Sequence, residues 1–267
     1  MAEISALQVK ELREKTGAGM MDCRKALVDT NGNMENAVDI LRKSGAAKAE
    51  KKASRTVKEG IISSCISGNK GTLVEVLCET DFVAKNEKFR EFVKGIASNT
   101  ANIPGDGDVI AKVVEKEKEA LTQNIAVTGE NMQIRRAVKW ESKGTCAMYL
   151  HMGGKIGVMI DVEGNISNTA ALNDICMHIA AFKPQYLNPE SIPADIITKE
   201  KEIAAAQLGD KPAAMLEKIL LGKINKWYTE VCLTKQPWLR DDKQSVEKAN
   251  PGVVIKRFLR WEVGEEI

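Results

Sequence analysis

A carboxylate and a large aromatic stand side by side at Asp81-Phe82, inside the stretch "CETDFVAKN" (Cys78–Asn86). A junction between a strand and a helix is ordinarily polar, so a phenyl ring there asks for a role. Other chemistry-bearing residues are few. Of the two histidines, His178 sits in the helical pattern "CMHIAAF" and reads as a packed or partner-facing residue; His151 lies at a hairpin turn without a Ser or Cys nucleophile beside it. Six cysteines, at 23, 65, 78, 146, 176 and 232, show no Cys-x-x-Cys spacing. That pattern argues against a zinc site or a disulfide scaffold and fits reduced thiols in a cytoplasm. Neither a Gly-x-x-x-x-Gly-Lys-Ser/Thr loop nor Gly-x-Gly-x-x-Gly after a strand occurs, so no direct nucleotide binding is expected. Catalytic residues, a metal site and a cofactor are all expected to be absent.

Two readings of the Asp-Phe stretch stay open from the residues alone. Thr80 or Asp81 caps a helix, and Phe82 is a staple packing on Phe89. Alternatively, Asn86 caps the helix "EKFREFVKGI" and "TDFVAK" is a separate turn. Phe89, Phe92, Val93 and Ile96 already complete an apolar stripe, which leaves Phe82 exposed beside a negative charge. Met20-Met21 in "GAGMMDC" poses a similar choice between core filler and an adaptable binding surface.

The elements that must carry these residues fall into three stretches. Residues 1–55 read as three short helices and a linker. Ser5 caps the first and Thr16–Gly19 stops it; the second runs from Asp22 to Asp29; Asn33 caps the third, which finishes at Gly45. The linker Arg42–Lys58 holds seven basic residues and one acid, either a solvated, partly helical tether or a contact for an acidic partner. Residues 56–141 and 142–267 repeat one order: two strands about a Gly-rich turn, an amphipathic helix and a closing strand. The closing octapeptides "IRRAVKWE" (Ile134–Glu141) and "IKRFLRWE" (Ile255–Glu262) share Ile, Arg, Trp and Glu at equal offsets, which points to duplication.

The expected class is α+β, with two related β-β-α-β subdomains after the helical bundle. The second carries an inserted helical hairpin at about 190–232. Its helices are divided by Gly209, Asp210 and Pro212, and its seam comes from Ile203, Leu208, Met215, Leu216, Ile219, Leu220 and Ile224. Periodicity leaves open whether this arm folds back or meets another chain.

Bulk properties limit the function classes. Net charge is only +2 and aromatics are 4% of 267 residues, which disfavours a nucleic-acid platform. No apolar run spans a bilayer, and the N-terminus shows no secretory or transit pattern, so a cytoplasmic protein is expected. An RNA- or protein-binding scaffold using the basic linker, and a thiol-dependent enzyme, are the competing classes.

"VKELREKTGAGMMDCRKAL" (Val9–Leu27), "CETDFVAKN" (Cys78–Asn86), "KIGVMI" (Lys155–Ile160), "HIAAFKPQYL" (His178–Leu187) and "RFLRWEVGE" (Arg257–Glu265) together resemble the bacterial elongation factor Ts family, in order and over nearly the entire chain. The resemblance implies a guanine-nucleotide exchange factor that binds elongation factor Tu and acts without covalent chemistry. It implies an N-terminal ubiquitin-associated-like bundle, two related subdomains and a coiled-coil hairpin. Thr80, Asp81, Phe82 and Val83 would be the segment that dislodges Mg²⁺ from the partner, with Phe82 as a wedge between its helices. Arg13, Met20 and Met21 would contact the GTPase domain, and the region of Pro237, Trp238 and Leu239 another domain. A homodimer or a heterotetramer is left open. Two departures stand out: the sequence ends at "EVGEEI", where many members continue into a further helix, and Phe182 replaces a commonly small residue.

Overall fold

Of the N-terminal helices, the first and third begin at a side-chain cap and the first and second end at a chain reversal. The computed structural model describes residues 4–164, 168–208 and 213–267. Helix α1 (Ala6–Thr16) opens on a reciprocal capping box between Ser5 and Gln8 and ends at Gly17, whose φ of 68° only glycine adopts freely. Helix α2 (Met20–Asp29) follows, then α3 (Met34–Lys52), capped by the Asn33 side chain. Val9, Leu12, Cys23, Ala26, Leu27 and Ala37 make a small private core.

Helix α3 does not stop at Gly45, as expected from the sequence, but continues seven residues further. Gly45 is buried, and a Cβ placed there would lie 3.3 Å from that of Ala126. The glycine allows close approach of a second helix rather than ending its own. Much of the expected tether is therefore helix.

The chain is α+β, with ten α-helices among the described residues and antiparallel sheets. It divides into two units: Met1–Cys65 with Thr72–Lys139 and Glu262–Ile267, and Ile66–Gly71 with Trp140–Trp261. Strands β1 (Glu59–Ser67) and β2 (Lys70–Cys78) form a hairpin, followed by the short α4 (Asp81–Lys85) and by α5 (Glu87–Thr100). After β3 (Gly107–Asp108) and α6 (Ile110–Thr128), β4 (Met132–Glu141) returns to the sheet, giving the order β1-β2-β4-β3. Phe89, Val93, Ile96 and Ala97 of α5 join Val74, Val76, Ile134 and Ala137 of the sheet in the core of the first unit. Each such large apolar side chain taken from water is worth about 1.5–3 kcal/mol.

In the second unit β5 (Thr145–His151) pairs antiparallel with β6 (Ile156–Gly164), Thr145 opposite Val162 and His151 opposite Ile156. Helix α7 (Thr169–Phe182) packs on both strands. Helices α8 (Ala194–Ala206) and α9 (Ala213–Val231) pack together, rooted by Ile192, Val231 and Cys232. Gly209, Asp210 and Pro212, read as the division between them, lie outside the described residues. Their seam is thin: Ile224 is buried, but α8 buries nothing and Ile203 and Met215 are exposed. Strands β7 (Pro237–Trp238) and β8 (Asp241–Ser245), helix α10 (Val246–Ala249) and strand β9 (Val253–Glu262) complete the unit, with sheet order β5-β6-β9.

Candidate partner-binding site

The segment after β2 combines features of both sequence readings. Thr80 caps α4 and Asn86 caps α5; the two helices meet at Asn86, whose side chain accepts from Lys88 N at 2.9 Å. Within the five residues of α4, Ala84 is buried and Val83 packs against the core, so the segment is anchored on one side. Phe82 points the other way and is 82% exposed. The staple on Phe89 does not form, because Phe89 is already enclosed by the core.

Asp81 lies in the first turn, where a carboxylate suits the N–H groups of a helix start. Lys85 Nζ donates to Asp81 Oδ2 at 2.6 Å, and this hydrogen bond holds the carboxyl below its usual range. The segment thus shows an Asp81–Lys85 ion pair next to an uncovered ring. Behind it, Glu130 accepts two hydrogen bonds from Thr80, and Glu79 accepts one from Asn131 N. Neither Glu130 nor Asn131 is signalled in the sequence. They follow a helix-ending Gly129 some fifty residues away, and only the tertiary fold brings them to the junction.

In the same unit, Met20 and Met21 are 58% and 72% exposed at the start of α2, and Arg13 is exposed on α1. The bundle core is complete without the methionine pair. The bundle packs through α3 on α6, and Gln123 Nε2 donates to Thr16 O at 3.1 Å. Helix α6 leads directly to Glu130, so one element supports both the bundle and the Phe82 segment.

In the second unit Pro237 and Leu239 are exposed, but Trp238 is 7% exposed and belongs to the core. It stacks on His178, ring centroids 5.5 Å apart, and Phe182 stacks on the same imidazole at 4.5 Å. Trp238 therefore supports its loop from within instead of offering a face. Phe182, unusual by the resemblance, covers the buried histidine. His178 Nε2 meets Gln236 Oε1 at 3.0 Å, and desolvation lowers its pKa.

The competing chemistries find little footing. His151 is exposed with Nδ1 3.0 Å from Tyr149 Oη. The cysteines are free thiols. Burial pushes Cys176 far up and Cys232 up to about 11, so neither offers a thiolate at neutral pH. Along the basic stretch, Arg42 pairs with Glu119, Lys48 with Asp22 and Arg55 with Glu79, leaving a weaker field for an anionic polymer. Among the described residues, no cluster could hold a metal ion and no helix is long and apolar enough to cross a membrane.

A family model described as Elongation factor TS matches residues 79–265. The chain belongs to the elongation factor Ts family. It is 45% identical to the elongation factor Ts of Nautilia profundicola, over 99% of this chain and 94% of that one. The relative from Trichlorobacter lovleyi is 42% identical over 98% and 93%, and that from Protochlamydia amoebophila 40% over 99% and 100%. The matched family region begins at Glu79 and so includes the exposed Phe82.

Proposed function

We propose that this chain performs its family's reaction through Thr80, Asp81, Phe82 and Val83. The family is the nucleotide exchange factor for elongation factor Tu in translation elongation. The observation that carries the assignment to this segment is Phe82, uncovered on a short helix whose other side is fixed to the core.

GDP and Mg²⁺ are held by a GTPase through phosphate contacts, so displacing the metal ligands weakens the nucleotide. A ring mounted on a fixed support can enter apolar space in the partner only if elements there shift. The coupling is reciprocal: a factor that loosens nucleotide a thousandfold is loosened equally by it, about 4 kcal/mol each way. Asp81, paired with Lys85, adds a polar contact beside the ring, and no bond is made or broken in the factor. Excess GTP then releases it.

Arg13, Met20 and Met21 supply an adaptable second contact, and the loop of Pro237 and Leu239, propped by Trp238, a third. The repeated hairpin-helix-strand order and the matching sheet orders β1-β2-β4 and β5-β6-β9 support two related subdomains, with the N-terminal bundle of ubiquitin-associated-like form and α8–α9 as a coiled-coil hairpin. Free thiols fit action in the cytoplasm.

The test follows release of fluorescent GDP from elongation factor Tu. Phe82→Ala should slow stimulated release about thirtyfold, the loss expected for a central aromatic anchor, with thermal unfolding unchanged. Release at the unaltered rate would remove Phe82 from the mechanism.

A further inference from the structure

Helix α4 is too short to hold itself. Five residues cannot recover the cost of helix nucleation, so its direction must be set from outside. The anchor is Thr80. Its backbone N–H donates to Glu130 Oε2 at 3.0 Å and its hydroxyl to Glu130 Oε1 at 2.6 Å. A second arm runs the opposite way: Asn131 N donates to Glu79 Oε1 at 2.6 Å, and the Asn131 amide donates to Arg55 O at 2.8 Å. Two adjacent residues of the α6–β4 turn thus grip two adjacent residues of the β2–α4 junction.

We infer that Glu130 is a positioning residue for nucleotide exchange, fixing the direction in which Phe82 is presented. The inference rests on the reading of Phe82 given above. A threonine hydroxyl has one proton and two lone pairs. Because the proton goes to Glu130, a lone pair is turned toward Val83 N, 3.4 Å away, and the same contact that anchors Thr80 also sets the cap of α4. Both contacts to Glu130 are charge-assisted, the stronger class of hydrogen bond. Without them the hydroxyl can rotate, the cap loosens and the ring two residues on gains freedom. A ring on a loose mount yields when it meets the partner, so contact deforms the factor and not the nucleotide site. Affinity from the methionine pair and the other contacts remains.

The experiment measures GDP release from elongation factor Tu against factor concentration, separating the maximal rate from the half-saturating concentration, with the full chain as wild type, Glu130→Ala, Glu130→Gln, Phe82→Ala and Phe82→Ala/Glu130→Ala. Glu130→Ala should lower the maximal rate roughly tenfold and move half-saturation less than about twofold. Glu130→Gln keeps an acceptor for Thr80 N and offers its amide to the hydroxyl oxygen, so it should restore most of the rate. In the Phe82→Ala background, Glu130→Ala should add less than about twofold, because the clamp acts through the missing ring. Thr80→Val, which removes the hydroxyl arm together with the cap on Val83 N and keeps the backbone N–H bond to Glu130, gives the same comparison should Glu130→Ala not fold. A wild-type maximal rate for Glu130→Ala beside a slow Phe82→Ala, or fully multiplicative losses in the double variant, overturns the clamp and leaves the wedge standing. A wild-type rate for Phe82→Ala overturns the wedge and the clamp with it.

Discussion

Arg136 Nε donates to Glu75 Oε2 at 2.6 Å, and the Glu75 side chain has no exposed surface. Glu75 also accepts from Gly264 N at 3.0 Å, and Arg136 reaches Glu265 at 2.7 Å. The pair thus fixes the C-terminal residues of the first unit to strands β2 and β4. A buried carboxylate is tolerated only while its donors are present.

Removing the main donor should be costly. Arg136→Ala is expected to lose about 3 kcal/mol in urea denaturation, since it leaves a buried negative charge short of partners. Arg136→Lys should fall between, keeping the charge without the planar fork. Stability of Arg136→Ala within 0.5 kcal/mol of wild type, roughly the scatter for surface changes, would contradict the buried-pair account.

His178 should make stability depend on pH. Desolvation lowers its pKa in the folded chain below the ordinary 6.5, and the Nδ1 atom has no hydrogen-bond partner among the described residues. The unfolded chain therefore takes up the proton first as pH falls. His178 costs nothing in this respect above about pH 6.5, and stability declines below that value until the folded form also protonates. For one proton the slope is at most about 1.4 kcal/mol per pH unit. Urea denaturation of wild type and His178→Gln between pH 5 and 7.5 checks this: the variant should have the flatter profile, and equal slopes would exclude His178 as the cause.

Gly45 should resist enlargement. Alanine would favour the helix by about 1 kcal/mol but press on Ala126, so the two effects nearly cancel. Valine adds two methyl groups where none fit and is expected to cost about 1–3 kcal/mol. Denaturation of both variants, with limited proteolysis near residues 53–58, reports whether α3 has been pushed from α6. A fully stable Gly45→Val would show that the two helices are not in close contact.

Local signals in the sequence were sufficient where the cause of the structure is local. The Ser5 capping box, the reversal at Gly17, the Asn33 cap and both hairpins are formed by residues within a few positions of one another. The exposed state of Phe82 was half legible, because α5 already had a complete stripe without it. Three features were not. Gly45 has the form of a helix stop and is instead a contact surface, which only the position of Ala126 reveals. Trp238 lies in a turn-rich stretch but fills the space beside His178, sixty residues earlier. Glu130 is one carboxylate among many in a charged region, and nothing near it marks Thr80 as its partner.

The seating of α3 against α6 also bears on how far the first fifty-five residues can be treated as a portable module. Cut away, they would keep their six-residue interior but bare the flank around Gly45, while the remainder would lose cover over Ala126 and Val127. Both fragments would then carry a fresh greasy scar. Grafting the helices onto another scaffold, or trimming them off to simplify the factor, trades a sealed seam for two sticky surfaces.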